Sequence, residues 1–223
     1  DDIFNIISSV VKGNLNTGDG NNQITISGSN MGIEGNITAG TGDDTFKLTE
    51  NGIVTGNVDL GTGNNTANIT GEIGGNLISK GSTSIIDLVK GKIFGNIELG
   101  DGLSNLTMKD GSEIKGNVTA TGSKDNVFDL TNSTIGGKLE AGSGNNTISL
   151  KENSGILNGI VTGTGNDTLT ANTSVIKGDI TLGEGLNNID LTNSGIEGSI
   201  TTGSGDDIFN IISSVVKGNL NTG

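Results

Sequence analysis

The chain has no cysteine, proline, histidine, tryptophan or tyrosine, and all 12 of its basic residues are lysine. Each absence removes a class. Without cysteine there is no disulfide framework and no thiolate metal site. Without histidine or arginine, the common proton shuttle and the bidentate clamp for carboxylate or phosphate substrates are missing. The only aromatic residues are five phenylalanines, so any core must come from Ile, Leu and Val. A formal charge of −13 over 223 residues argues against nucleic acid and anionic membrane as partners, since both select for Lys and Arg. No apolar run approaches the ~18–20 residues of a membrane span, so membrane insertion is not expected.

Glycine is plentiful, at 40 residues. High glycine and net acidity would also suit a disordered chain, but the aliphatic residues are spaced too regularly for that. Asp1–Gly18 reads DDIFNIISSVVKGNLNTG and recurs letter for letter at Asp206–Gly223, which marks a 205-residue tandem unit. Inside it lies a shorter repeat, opening on Gly-Asn or a variant at Gly13, Gly35, Gly56, Gly75, Gly95, Gly116, Gly137, Asn158, Gly178, Gly198 and Gly218. The spacings run from 19 to 22, about 20.5 on average, so ten short repeats fill the unit.

Stacking the repeats gives four columns without a charged or amide side chain. Two residues after each start stand Leu15, Ile37, Val58 and their mates through Leu220. Further on come the column of Ile24, Phe46 and Ile148, and the column of Ile26, Leu48 and Leu191. Just before each start come Ile33, Val54, Ile73 and on to Val216. The local period is two, as in Phe-Lys-Leu at 46–48, which describes short strands with alternate residues turned inward. β-Branched residues and the lack of a 3.6-residue pattern oppose helix. The fold expected is all-β: one continuous parallel β-helix, or β-solenoid, over 1–223, with ten coils per unit. The usual handedness of parallel crossovers makes it right-handed, and each coil buries its aliphatics only against its neighbours.

The turn after the first strand of most repeats is Gly-x-Gly, as in Gly40-Thr41-Gly42 and Gly163-Thr164-Gly165, with Lys80-Gly81-Ser82 and Thr121-Gly122-Ser123 departing from it. No helix and no P-loop lysine follows, so a phosphate cradle is not indicated. Positive φ at a solenoid corner accounts for these glycines. Extended to Phe46 and Leu169, the two segments resemble the G-x-G-x-D-x-U core of the RTX calcium-binding nonapeptide. RTX rolls carry the motif on two sides of a turn, whereas here it occurs once per coil. The ligand position is also often Asn22, Asn65, Ser84, Ser104, Asn126, Asn146 or Asn187. A ladder of stacked Asn needs no metal and is the favoured reading of that column as a whole, ahead of calcium.

Acidic residues gather at this corner as Asp1, Asp2, Asp19, Asp43 and Asp44, and again as Asp167, Glu184, Asp206 and Asp207. Carboxylates one strand spacing apart repel unless hydrated or bridged, and a hard cation would bridge them. Asp2, Asp19, Asp43 and Asp44 are thus the candidate ligands, with Ca2+ the candidate ion. No cofactor is required by the sequence. Glycosidases need two carboxyl groups ~5–10 Å apart, but Asp43 and Asp44 are neighbours pointing to opposite faces of a strand, and no catalytic set is expected. An ice-binding Thr-x-Thr face is broken at Asp87, Asp129 and Asp190. Phe94 and Leu157 fall in an otherwise polar column and should point outward.

By its repeats the whole chain resembles the β-solenoid shafts of large bacterial surface and secreted proteins: autotransporter passengers, haemagglutinin-like adhesins and RTX-type adhesins. That resemblance implies an extracellular or cell-surface setting, a rod-like role and calcium as a ligand to consider. The expected function is a non-catalytic rod or filament element of a fibre or adhesin shaft, with further copies of the repeat end to end. The alternative is an adhesin module binding a host surface, receptor or glycan. Identity at the 205-residue period beside divergence at the short one predicts that such units continue in tandem in both directions.

Overall fold

The computed structural model describes residues 1–28, 31–49 and 51–223. It is an all-β parallel solenoid of eleven coils, each after the first giving one strand to each of three sheets. The first sheet has eleven strands, from Ile3–Ile7 to Ile208–Ile212. The second has ten, from Met31–Ile33 to Val215–Val216, and Val11 adds a single bridge to Ile33. The third has eleven, from Leu15–Gly18 to Leu220–Asn221. Every strand pair is parallel and joins neighbouring coils, so the sheets run the length of the molecule. Among the described residues no helix is long and apolar enough to cross a membrane.

The sequence columns are the register. Phe46 pairs with Ala67, Ala67 with Ile86, Ile86 with Leu106 and Leu106 with Phe128. Within Thr83–Val89 buried and more exposed residues alternate, as period-two packing requires. All four aliphatic columns are buried through the middle coils, each large side chain contributing about 1.5–3 kcal/mol on leaving water. In the end coils Phe4, Ile6, Leu15, Phe209 and Val216 are half-buried against the same core. Phe94 and Leu157 point outward as expected, at 47% and 41% exposure. A fifth inward column, four residues after each start, holds Ala39, Leu60, Ser79, Leu99, Ala120, Thr162 and Leu182. Its mixture of polar and apolar letters hides it in the sequence.

The corners differ from expectation in one respect. Positive φ serves only part of the Gly-x-Gly turns. Gly42 adopts φ +141, whereas Gly144 has no such angle and is glycine because a Cβ would collide with the Lys124 carbonyl oxygen. The consistent left-handed corner lies between the first and second sheets and is mostly non-glycine: Ser8, Asn51, Lys90, Asp110, Asn132, Thr173, Asn193 and Ser213 have φ of 47 to 62. Beside it Ser112, Ser133, Ser154, Ser174 and Ser194 are buried, with hydroxyls bonded to backbone carbonyls, locally as at Thr131 O, 2.9 Å from Ser133 Oγ, or in the preceding coil as at Leu130 O, 3.0 Å from Ser154 Oγ.

Candidate functional site

The corner that carries the acidic residues joins the third sheet to the first, and it is built from three parallel columns. The innermost runs Asp2, Asn22, Asp44, Asn65, Ser84, Ser104, Asn126, Asn146, Asp167, Asn187, Asp207, and from Asn22 to Asn187 these side chains are buried. In two runs along it each backbone N–H reaches for the side-chain oxygen one coil on. Asp2 N–H donates to Asn22 Oδ1 at 3.0 Å, Asn22 N–H to Asp44 Oδ1 at 3.0 Å, and Asp44 N–H to Asn65 Oδ1 at 3.0 Å. The pattern resumes from Ser104 N–H, 2.7 Å from Asn126 Oδ1, and continues to Asn187 N–H, 2.8 Å from Asp207 Oδ1. Between the two runs Ser84 turns its hydroxyl to Ser79 Oγ, 2.7 Å away.

The Asn side chains close the corner through their other end. Asn22 Nδ2 donates to Gly18 O at 3.2 Å and Gly20 O at 2.9 Å, and Asn146 Nδ2 to Gly142 O at 3.3 Å and Gly144 O at 2.7 Å. The stack is therefore mainly a side-chain-to-backbone ladder, with direct side-chain steps only at Asn22–Asp44, Asn126–Asn146 and Asn146–Asp167.

Where Asp replaces Asn the donor is missing. Asp44 Oδ1 accepts the Asn22 N–H and Nδ2, and Asp167 Oδ1 accepts those of Asn146, but Oδ2 of both residues is buried with no hydrogen bond. Burial pushes both carboxyls above the ordinary carboxylate range, against the pull of the Asn22 donors on Asp44 and of the Thr162 hydroxyl and then the Asn146 donors on Asp167.

The four candidate metal ligands do not share one column. Asp2 and Asp44 lie in the inner column, with Asn22 between them. Asp43 lies in the exposed column beside it, where it accepts the Asn64 N–H at 2.7 Å and donates its own to Asn21 Oδ1 at 2.8 Å. Asp19 lies in a third column, also exposed. The Thr41 backbone N–H, 2.9 Å from Asp19 Oδ1, and then the Thr41 hydroxyl hold its carboxyl below the usual range. Among the described residues no three acidic side chains converge as a metal-binding group.

On the third sheet a groove of about 430 Å3 is lined by Lys80, Asn96, Glu98, Asp101, Asn117 and Thr119 among others, with Lys80 and Glu98 ion-paired at 3.2 Å. At its edge runs an exposed amide ladder that sequence reading missed. Asn36, Asn57, Asn76, Asn96 and Asn117 each donate a backbone N–H to the Asn Oδ1 of the preceding coil at 2.8 Å. Its signal was present in the recurring Gly-Asn, read there only as a starting point. No family model matches this chain, and neither does any curated protein or any solved structure.

Proposed function

We propose that the chain is a structural rod: a non-catalytic shaft element of an extracellular or cell-surface bacterial fibre or adhesin, joined end to end with further copies of its unit. One observation carries this reading. Every buried column and both amide ladders follow the coil repeat, and the side chains in them are spent on neighbouring coils rather than aimed at a shared point. A site for substrate would gather unlike polar groups in one place. The surface setting comes from the resemblance to solenoid shafts, and net acidity suits a rod that avoids nucleic acid and anionic lipid.

The Lys80–Glu98 groove supports a second reading, contact with a polar ligand such as a glycan or receptor. The two separate in the protein that carries this segment. Attachment by cells displaying it is measured after the groove's Asn96, Glu98, Asn117 and Thr119 are exchanged for other polar residues, and the reach of the fibre after one extra 205-residue unit is inserted. A rod keeps its attachment through the first change and lengthens by about 48 Å in the second, ten coils at the strand spacing. Loss of attachment with the first change would make the segment a binding module.

A further inference from the structure

The outer face of the first sheet is polar over most of its length. In coils two to four and eight to ten every outward residue of its strands is polar, as at Gln23, Thr66, Thr168 and Asn188. Coils five to seven break the pattern. Ile85, Leu103 and Val127 project there at 40%, 43% and 37% exposure, with Val89 half-buried on the same face. The register places them together: Asn105 pairs with Ile85 on one side and Val127 on the other, and Leu103 stands two residues before it. Single exposed aliphatics are ordinary, but a group of them on neighbouring coils of one face marks a contact surface.

The same span is where the rod loses its charge. Residues 80–138 hold seven lysines and seven acidic residues, so the whole net −13 falls on the coils to either side. Two such rods repel along most of their length and least at this belt. Apolar patches also recur on this face at even spacing. Ile3 and Ile7 in coil one, and Ile208 and Ile212 in coil eleven, stand in outward columns, paired with Gln23 and Ser27 and with Asn188 and Thr192. Coil six, the middle of the belt, lies five coils from each, about 24 Å at the strand spacing.

We infer that the outer face of the first sheet docks side by side on the same face of a second copy of this chain, patch meeting patch. A copy is the occupant that fits, because its patches have the same spacing and its belt is the stretch that repels least. Ile85, Leu103 and Val127 form the apolar centre of the contact. Thr107, flanked by Asp87 and Asp129 in the next outward column, and Lys109 beyond it form the polar rim. This lateral contact goes beyond the end-to-end reading above and does not depend on it. Four side chains cover less than the ~800 Å2 per partner of a standard interface, so pairing between single chains is weak and follows concentration.

The test uses the full chain. In the variant Ile85→Thr/Leu103→Thr/Val127→Thr each position takes the letter its own column already carries one coil away, at Thr66, Thr83 and Thr147, so the coils are kept. Sedimentation velocity over a concentration series should show the wild type passing from single chains to pairs, and the triple variant pairing about tenfold or more weakly. Phe94→Thr, beside the second sheet, should change nothing. Added NaCl should strengthen wild-type pairing, because it screens the repulsion between two chains of charge −13. Should the triple variant lose its β-sheet circular dichroism, Leu103→Thr alone is read in the same way. A wild type that stays single up to its solubility limit would overturn the lateral contact. So would a triple variant that pairs as well as the wild type, an equal loss in Phe94→Thr, or pairing that salt weakens. None of these outcomes touches the rod reading, which the attachment and length measurements above decide.

Discussion

Asp44 and Asp167 stand where most neighbouring coils have Asn or Ser, and each keeps one carboxylate oxygen buried without a partner. An unsatisfied buried oxygen costs about 1–3 kcal/mol, and more when it is charged. Burial raises both carboxyls above their unfolded value of about 3.9, so the folded state holds the proton more tightly than the unfolded one. The sign follows by linkage. Their contribution to stability is intact at acid pH and is lost as pH rises through the raised value. Asp44→Asn supplies the donor that Asn22 Nδ2 already shows, bonded to Gly18 O and Gly20 O. The variant should exceed the wild type by about 1–2 kcal/mol in urea denaturation at pH 7, with the gap closing near pH 4. If Asp44→Asn instead lowers stability at pH 7, and a calcium chelator removes the deficit, the carboxylate holds a cation.

At the scale of the coil, corners are set by how closely backbones approach. Gly95 has no positive φ, yet a Cβ on it would collide with Asn76 Oδ1 and lie 2.6 Å from Gly75 O. Gly195, within a strand of the second sheet, would meet nothing within 4 Å. Gly95→Ala should therefore cost about 2–3 kcal/mol, and Gly195→Ala should be near neutral or slightly stabilising; thermal melts of the two variants compare them directly. The same contrast explains what could be read from the letters. The columns of Ile37, Phe46, Leu48 and Ile33 are legible because aliphatics alternate with polar residues at period two. Opposite orientation of Asp43 and Asp44 follows from the same period. The inward Asn22–Asn187 column, the Ser112–Ser194 column and the left-handed corner at Ser8 through Ser213 were harder to read. Asn and Ser suit surfaces and interiors alike, and only their bonds to the next coil reveal which they serve.

For the whole molecule, the account requires that distance along the rod grow by one strand spacing per coil without interruption. The five ion pairs among the described residues are all at the surface, with both side chains at least 32% exposed, and contribute little to that order. Registered parallel strands and the aliphatic columns carry it. The lack of any native cysteine allows a direct measurement. Asn5, Thr107 and Asn210 occupy one outward column of the first sheet, in coils one, six and eleven. Spin labels on paired cysteines introduced at 5 and 107, and at 5 and 210, should give electron–electron distances of about 24 and 48 Å, in the ratio of the coils crossed. A 5–210 distance that fails to double the 5–107 distance would contradict the continuous rod.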